Sequence, residues 1–346
     1  MTEDLFLLCF IGFVSLLLIL DLGVFHKKDH VILFKEAAVW TCIWIGLALL
    51  FWGFIYLKAE LIHGVSTIED LQALNLKHQH DLNFDGLTFA ESLQLYRKAM
   101  SLEYITGYLI EKSLSIDNIF VMIMIFMSFS VDKKYYHRML FYGILGAIVL
   151  RFIFIFTASA LIQKFNWLLI VFGVVLLYSA FKMFKDRNKK ENIDVEHHPV
   201  VKFCAKHKLA SPNFDGHNFF TKIDAKWLCT PLFIVLLIIE FSDIIFAFDS
   251  IPAIFSVTQD PFIVFFSNIF AILGLRSLFF MLESVMDKFY YLKIGLSVLL
   301  AFIGIKMLLP YICHVHIGTG ISLIVILSIL AISILTSILF PPKIEK

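Results

Sequence analysis

The sequence predicts an all-α polytopic membrane protein with about nine transmembrane helices, and three observations carry that prediction. Of the 346 residues, 60% are hydrophobic and only 16% charged, against about 45–50% and about 25% in a soluble domain. Mean hydropathy is +0.85. Nine apolar stretches recur along the chain, each near the ~20 residues that a helix needs to cross a bilayer. The net charge is +1 and the basic residues gather in short loops, a pattern that membrane topology produces by itself and that gives no case for nucleic acid. Five scattered cysteines contain no Cys-x-x-Cys pair, so neither a thiolate metal site nor a disulfide framework is indicated.

The first span, Leu5 to Phe25, holds one carboxylate, Asp21, and lacks the basic start and small-residue cleavage site of a signal peptide. A charged loop, His26-Lys27-Lys28-Asp29-His30, leads to the second span, Ala37 to Leu57. Residues 1–58 thus form an N-terminal pair. Residues 59–103 form a polar segment with an amphipathic helix near Phe89 to Met100. The next three spans, Tyr104 to Ser130, Met139 to Ala160 and Trp167 to Phe184, make one unit, residues 104–184. A Lys-rich segment, 185–227, separates it from spans six to eight: Leu228 to Ser256, Phe262 to Leu282 and Tyr290 to Leu309, within residues 228–309. The ninth span, Gly318 to Phe340, and the tail Pro341 to Lys346 complete residues 310–346. Short Lys-rich loops stay cytoplasmic. That rule puts the N-terminus outside and the 185–227 segment and the C-terminus inside, with the Lys- and Arg-free turn Ser256 to Pro261 outside.

Spans three to five and six to eight are copies of each other. Glu111 precedes Asp243 by 132 residues, and at the same spacing Asp117 matches Asp249, Asn118 matches Ser250 and Ile119 matches Ile251. Further on, Val149-Leu150-Arg151 aligns with Gly274-Leu275-Arg276, and Phe181-Lys182-Met183 with Ile305-Lys306-Met307. Three helices per unit force the copies to sit upside down relative to each other. An inverted repeat places a substrate site at the repeat interface and suits alternating access.

Six carboxylates fall within spans: Asp21, Glu111, Asp117, Glu240, Asp243 and Asp249. Each costs about 2.5–3.5 kcal/mol at the centre of a membrane helix, so six unpaired ones cost about 15–21 kcal/mol. Arg151 and Arg276 are the bases near mid-span, whereas Lys112, Lys182 and Lys306 sit nearer the ends, where they can snorkel. Two arginines leave the cluster negative, and protons or a bound cation must supply the rest. The oxygen donors Asn118, Ser115, Ser242 and Ser250 lie close by, with no Cys or His in either motif. Such a set suits Mn²⁺, Mg²⁺ or Ca²⁺. On a continuous helix Glu111, Ser115 and Asn118 share one face while Asp117 points about a third of a turn away, and Glu240 and Asp249 lie on opposite faces. Pro252 removes the amide that would bond the carbonyl of Phe248, which predicts a kink or break beside Asp249. The competing account makes the carboxylates structural ion pairs with Arg151 and Arg276.

Three smaller signals are set aside. The methionines Met122, Met124 and Met127 read as packing. Asp81-Leu82-Asn83-Phe84-Asp85-Gly86 opens like a calcium loop, but Ser92 stands where the closing Glu is required, so it reads as a turn. The pairs His78/His80 and His314/His316 fall on the outer side, where they could collect metal, but exposed histidine pairs are usually solvated and they read as such.

In these motifs the chain resembles the TerC family of integral membrane proteins, nearest its Alx-type branch. The likeness rests on Asp21-Leu22-Gly23-Val24-Phe25, Phe34-Lys35-Glu36-Ala37, Trp44-Ile45-Gly46-Leu47-Ala48, Glu111 to Asn118 and Glu240 to Ala253. The resemblance implies a fold related to LysE-type exporters, a link to tellurite resistance and alkaline stress, and manganese efflux. It also implies that Asp117 and Asp249 belong to the transport site. The resulting expectation is an inner-membrane exporter of Mn²⁺, with no enzymatic activity and no prosthetic group, whose partners are the cation, protons and the bilayer. In that reading Asp117 and Asp249 are core ligands, with Glu111, Glu240 and Asp243 as further ligands or proton carriers. Asn118 and Ser250 are neutral ligands, Arg151 and Arg276 balance charge, and Asp21, Lys182 and Lys306 are accessory. The rival expectation is a membrane adaptor in metal or tellurite stress that transports nothing and uses its long polar segments to dock partners.

Overall fold

The computed structural model describes residues 2–25, 34–186, 199–207, 211, 215–223, 226–283 and 291–339. The loop His26 to His30, the tail Pro341 to Lys346 and much of the 185–227 segment lie outside the described residues. Helices α1 (Glu3–Phe25) and α2 (Phe34–Lys58) open the chain. The polar segment then folds into a cap of two short helices, α3 (Glu60–His63) and α4 (Ile68–His78). Gly64 ends α3 at φ 68°, a left-handed conformation suited to glycine. Thr67 starts α4 through a capping box with Asp70. The calcium-like stretch is a turn: Asn75 holds both backbone groups of Leu82, and Gly86 takes φ 73°.

Helix α5 (Phe89–Ser128) runs for 40 residues, opened by a capping box between Thr88 and Glu91. The amphipathic segment and the third span, expected as separate pieces, are therefore one rod. No glycine or proline lies between Phe89 and Glu103 to separate them. Gly107 serves close packing instead, since a Cβ there would stand 2.9 Å from the hydroxyl of Ser267. After a short turn come α6 (Tyr136–Lys164), α7 (Leu168–Asp186) and α8 (Pro199–Lys206). A hairpin of β1 (Phe220–Ile223) and β2 (Lys226–Cys229) follows, antiparallel with Phe220 opposite Cys229.

Helix α9 (Pro231–Phe255) runs unbroken through Pro252, against the expectation of a break beside Asp249. Pro252 falls in the last turn, so the bond it removes, to the Phe248 carbonyl, is followed by only three more helical residues. The break lies in the next span, where α10 (Pro261–Leu273) and α11 (Leu275–Glu283) meet at Gly274 with a 42° bend. Helices α12 (Leu292–Ile312) and α13 (Thr319–Leu339) end the fold. Among the described residues seven helices are long and apolar enough to span a membrane, or eight if α10 and α11 make one span. Helix α5, the remaining segment of the expected nine, is not among them; its apolar half carries Glu111, Lys112 and Asp117.

Every residue of α10 is buried, which makes it the central post of the bundle. It packs against α2, α5 and α6, while α5 also meets α9, α6 meets α9, and α7 lies along α12. The α7–α12 contact is close because glycines face it: a Cβ on Gly304 would stand 3.0 Å from the carbonyl oxygen of Gly173. The cap is tied down by ion pairs. Arg97 grips Glu60 with two hydrogen bonds of 2.8 and 2.5 Å. His78 and the His80 side chain are buried, which corrects the expectation of solvated histidines: the cap folds them against α5 and α10. His314 and His316 are exposed as expected.

Candidate functional site

Arg151 stands at the middle of α6 and Asp243 at the middle of α9. With Glu111 from α5 and Asn268 from α10 they form a closed network in which every side chain is 3% exposed or less. The guanidinium grips Asp243 with two hydrogen bonds, Nη2 to Oδ1 at 3.0 Å and Nε to Oδ2 at 3.3 Å. Its Nη1 donates to Glu111 Oε1 and, at 3.1 Å, to Asn268 Oδ1. Asn268 Nδ2 donates to Glu111 Oε2 at 3.1 Å. Glu111 and Asp243, the acids that the sequence aligns at a spacing of 132 residues, meet at one arginine. Two carboxylates facing one guanidinium leave a formal charge of −1 where no water can screen it.

Arg276 does not share this network. It pairs with the Asp21 carboxylate, and its Nη2 donates to the Asp21 carbonyl at 3.3 Å. Asp21 is therefore drawn from α1 into the interior as a counter-ion. A cavity between Asp243 and Arg276 is lined also by Met122, Gly143, Ile144 and Ala147. Beside it the Glu240 carboxylate lies against Gly146 of α6, in space a Cβ would fill, and its Oε2 has no protein partner.

Of the remaining expected site residues, Ser250 stands beside Glu111 and the others are dispersed. Ser115 and Asn118 are buried on the Glu111 face of α5 and Asp117 is half-buried, as helical periodicity requires. Ser250 is buried on α9. Asp249 leaves that face and accepts a 2.7 Å hydrogen bond from Ser179 on α7, with Lys182 within electrostatic reach. The lysines expected to snorkel divide. Lys112 Nζ turns inward and donates to the Ala271 carbonyl at 3.3 Å, next to the α10–α11 break that exposes this carbonyl. Lys306 is buried near Glu103.

Sequence reasoning missed Asn268. The signal is Ser267-Asn268, the only polar pair inside the apolar helix α10.

A family model described as "Integral membrane protein TerC family" matches residues 96–344. The chain belongs to the TerC family. Among its TerC relatives, an "Uncharacterized membrane protein STKORF319" of Myxococcus xanthus is 45% identical over 95% of this chain and 91% of its own. A "Putative membrane-bound redox modulator Alx" of Escherichia coli K12 is 40% identical over 90% of this chain and 88% of its own. An "Uncharacterized membrane protein" of Rickettsia felis is 37% identical over 94% of this chain and 95% of its own. No solved structure matches this TerC-family chain. The multi-pass α-helical architecture and the expected Alx-type branch are both borne out.

Proposed function

We propose that this TerC-family protein exports Mn²⁺, or a related divalent cation, from the cytoplasm across the inner membrane through the duplicated carboxylate site. The meeting of Glu111 and Asp243 at Arg151 carries the reading. It joins the two copies at mid-helix, where a transporter built from inverted repeats holds its cargo. The helix pairings support the repeat. Exchanging α5 with α9, α6 with α10 and α7 with α12 turns the α6–α9 contact into the α10–α5 contact and the α7–α9 contact into the α12–α5 contact, and returns the α5–α9, α6–α10 and α7–α12 contacts to themselves.

In the cation-free state Arg151 holds both Glu111 and Asp243 and balances one of their two charges. An arriving cation displaces the guanidinium and takes up oxygens from Glu111, Asp243 and Asn268, with Glu240 across the cavity as a further ligand or proton carrier. Oxygen donors favour a hard or borderline ion. Asp117, Asp249, Asn118 and Ser250 line the steps on either side, and Lys182 and Lys306 flank the path. The N-terminus faces outward and the C-terminus the cytoplasm. Proton antiport follows from the need to neutralise the site before it reorients: one divalent ion exchanges for two protons.

The test is Mn²⁺ flux in proteoliposomes, wild type beside Glu111→Gln, Asp117→Asn and Asp249→Asn. Flux that vanishes in the variants supports the reading, and its decline on collapse of the pH gradient supports antiport. Folded wild-type protein that carries no Mn²⁺ returns the case to the adaptor, for which the exposed Phe220 and Trp227, on one face of the β-hairpin, provide a docking surface.

A further inference from the structure

A second cluster of titratable side chains lies at the cap, away from the arginine network. His63 of α3, His78 at the end of α4 and Asp260 before α10 bring three ligand atoms within 4.8 Å of one another. His63 Nδ1 bonds Glu3 of α1 at 2.7 Å, and its Nε2 faces Asp260 at 2.8 Å. His80 Nδ1 bonds Glu103 at 3.1 Å, and its Nε2 has no protein partner. Neither ring nitrogen of His78 has a protein partner, although the residue is 1% exposed. The imidazoles stand in a row, His63 to His78 at 5.6 Å and His78 to His80 at 5.8 Å between ring centroids.

Two features of this arrangement point to a ligand. A buried imidazole with no partner on either nitrogen forfeits all its hydrogen bonding with water, and native interiors rarely leave that unanswered. His63 and His80 each hold a carboxylate through Nδ1, which leaves the His80 Nε2 free and turns the His63 Nε2 toward Asp260 and His78. A metal-ligating histidine is oriented in this way by an outer carboxylate. Imidazole nitrogen mixed with carboxylate oxygen suits a borderline transition ion; Ca²⁺ and Mg²⁺ take oxygen alone.

We infer that His63, His78 and Asp260, with His80 adjoining, bind one borderline divalent transition cation such as Zn²⁺ or Co²⁺, which fastens the cap to α1 and α10. The cation takes the place of the His63 Nε2 proton, which is released to solvent, and neutralises the buried Asp260. Glu3 is a positioning residue, holding the His63 ring through Nδ1. The site is separate from the Arg151 network and does not depend on the export reading.

The experiment is a Co²⁺ titration of the full chain, purified in detergent and stripped with a chelator, followed by visible ligand-field absorption. The expected result is one equivalent of bound Co²⁺, displaced by Zn²⁺. His78→Gln loses the bands, Glu3→Gln weakens binding by about 10–100-fold, and the His314→Ala/His316→Ala double variant binds like wild type. Absence of stoichiometric bands in folded wild type overturns the inference, as does binding unchanged in His78→Gln or abolished in the His314/His316 variant. His78 touches no hydrogen-bonding partner, so its glutamine variant should fold; if it does not, Glu3→Gln decides, and unchanged affinity there overturns the inference.

Discussion

The two arginines of the duplicated unit occupy matching places in the sequence and opposite places in the electrostatics. Arg151 lies in an unbroken helix and serves both acids of the repeat; Arg276 lies two residues past a break and serves Asp21 of an N-terminal helix outside the repeat. The break sits at Gly274, where the first copy has Val149. Asn268, which closes the Arg151 network, has Gly143 as its counterpart at the spacing that aligns the arginines. Two arginines at matching places in the sequence therefore end in different surroundings, because backbone shape and one neighbour decide which of them faces Glu111 and Asp243.

The sharpest way to break that contrast is to remove each arginine. Arg151→Met leaves two buried carboxylates uncompensated and should cost about 5 kcal/mol, whereas Arg276→Met takes the counter-ion from one carboxylate, Asp21, and should cost about 3 kcal/mol. Relative thermal melting in detergent ranks the two, and equal losses would refute the asymmetry. Adding Glu111→Gln and Asp243→Asn to Arg151→Met should restore most of the loss, since a network without charge lacks the desolvation penalty.

A smaller effect is expected at the break. In Gly274→Ala the new Cβ would stand 2.8 Å from Lys112 Nζ and 3.1 Å from the Trp44 Cβ. The lysine end can yield but the Trp44 backbone cannot, so about 1–3 kcal/mol should be lost. Val149→Ala at the matching place is 55% exposed and should fall within about 0.5 kcal/mol of wild type by the same melting assay. Ser179→Ala removes one hydrogen bond to Asp249 and should cost about 1 kcal/mol, less than Gly274→Ala. A loss as large as that of Gly274→Ala would mean that Ser179 anchors α7 to α9.

What the sequence made legible was whatever a single helix decides by itself. Apolar length predicted the spans, and periodicity predicted that Glu111, Ser115 and Asn118 are buried together with Asp117 turned aside. The charge count predicted that the acids need Arg151. Pairing across helices was not legible, because Arg276 and Asp21 are 255 residues apart and nothing local selects Asp21 over Asp243. The same holds for His63 and Asp260, 197 residues apart, which meet only when the cap folds down. The proline in α9 misled because its effect depends on position: three residues from a helix end it terminates what mid-helix it would have broken.

Helix α5 has a mechanical consequence. Its 40 residues make a rod about 60 Å long. Glu103, bonded to His80 in the cap, and Glu111, bonded to Arg151 in the interior, sit on it about 12 Å apart along the axis. A continuous helix carries axial sliding and rotation from one end to the other with little loss. Any tug on the cap therefore arrives at Arg151 as a displacement of its carboxylate, which makes α5 the pushrod between the two polar centres.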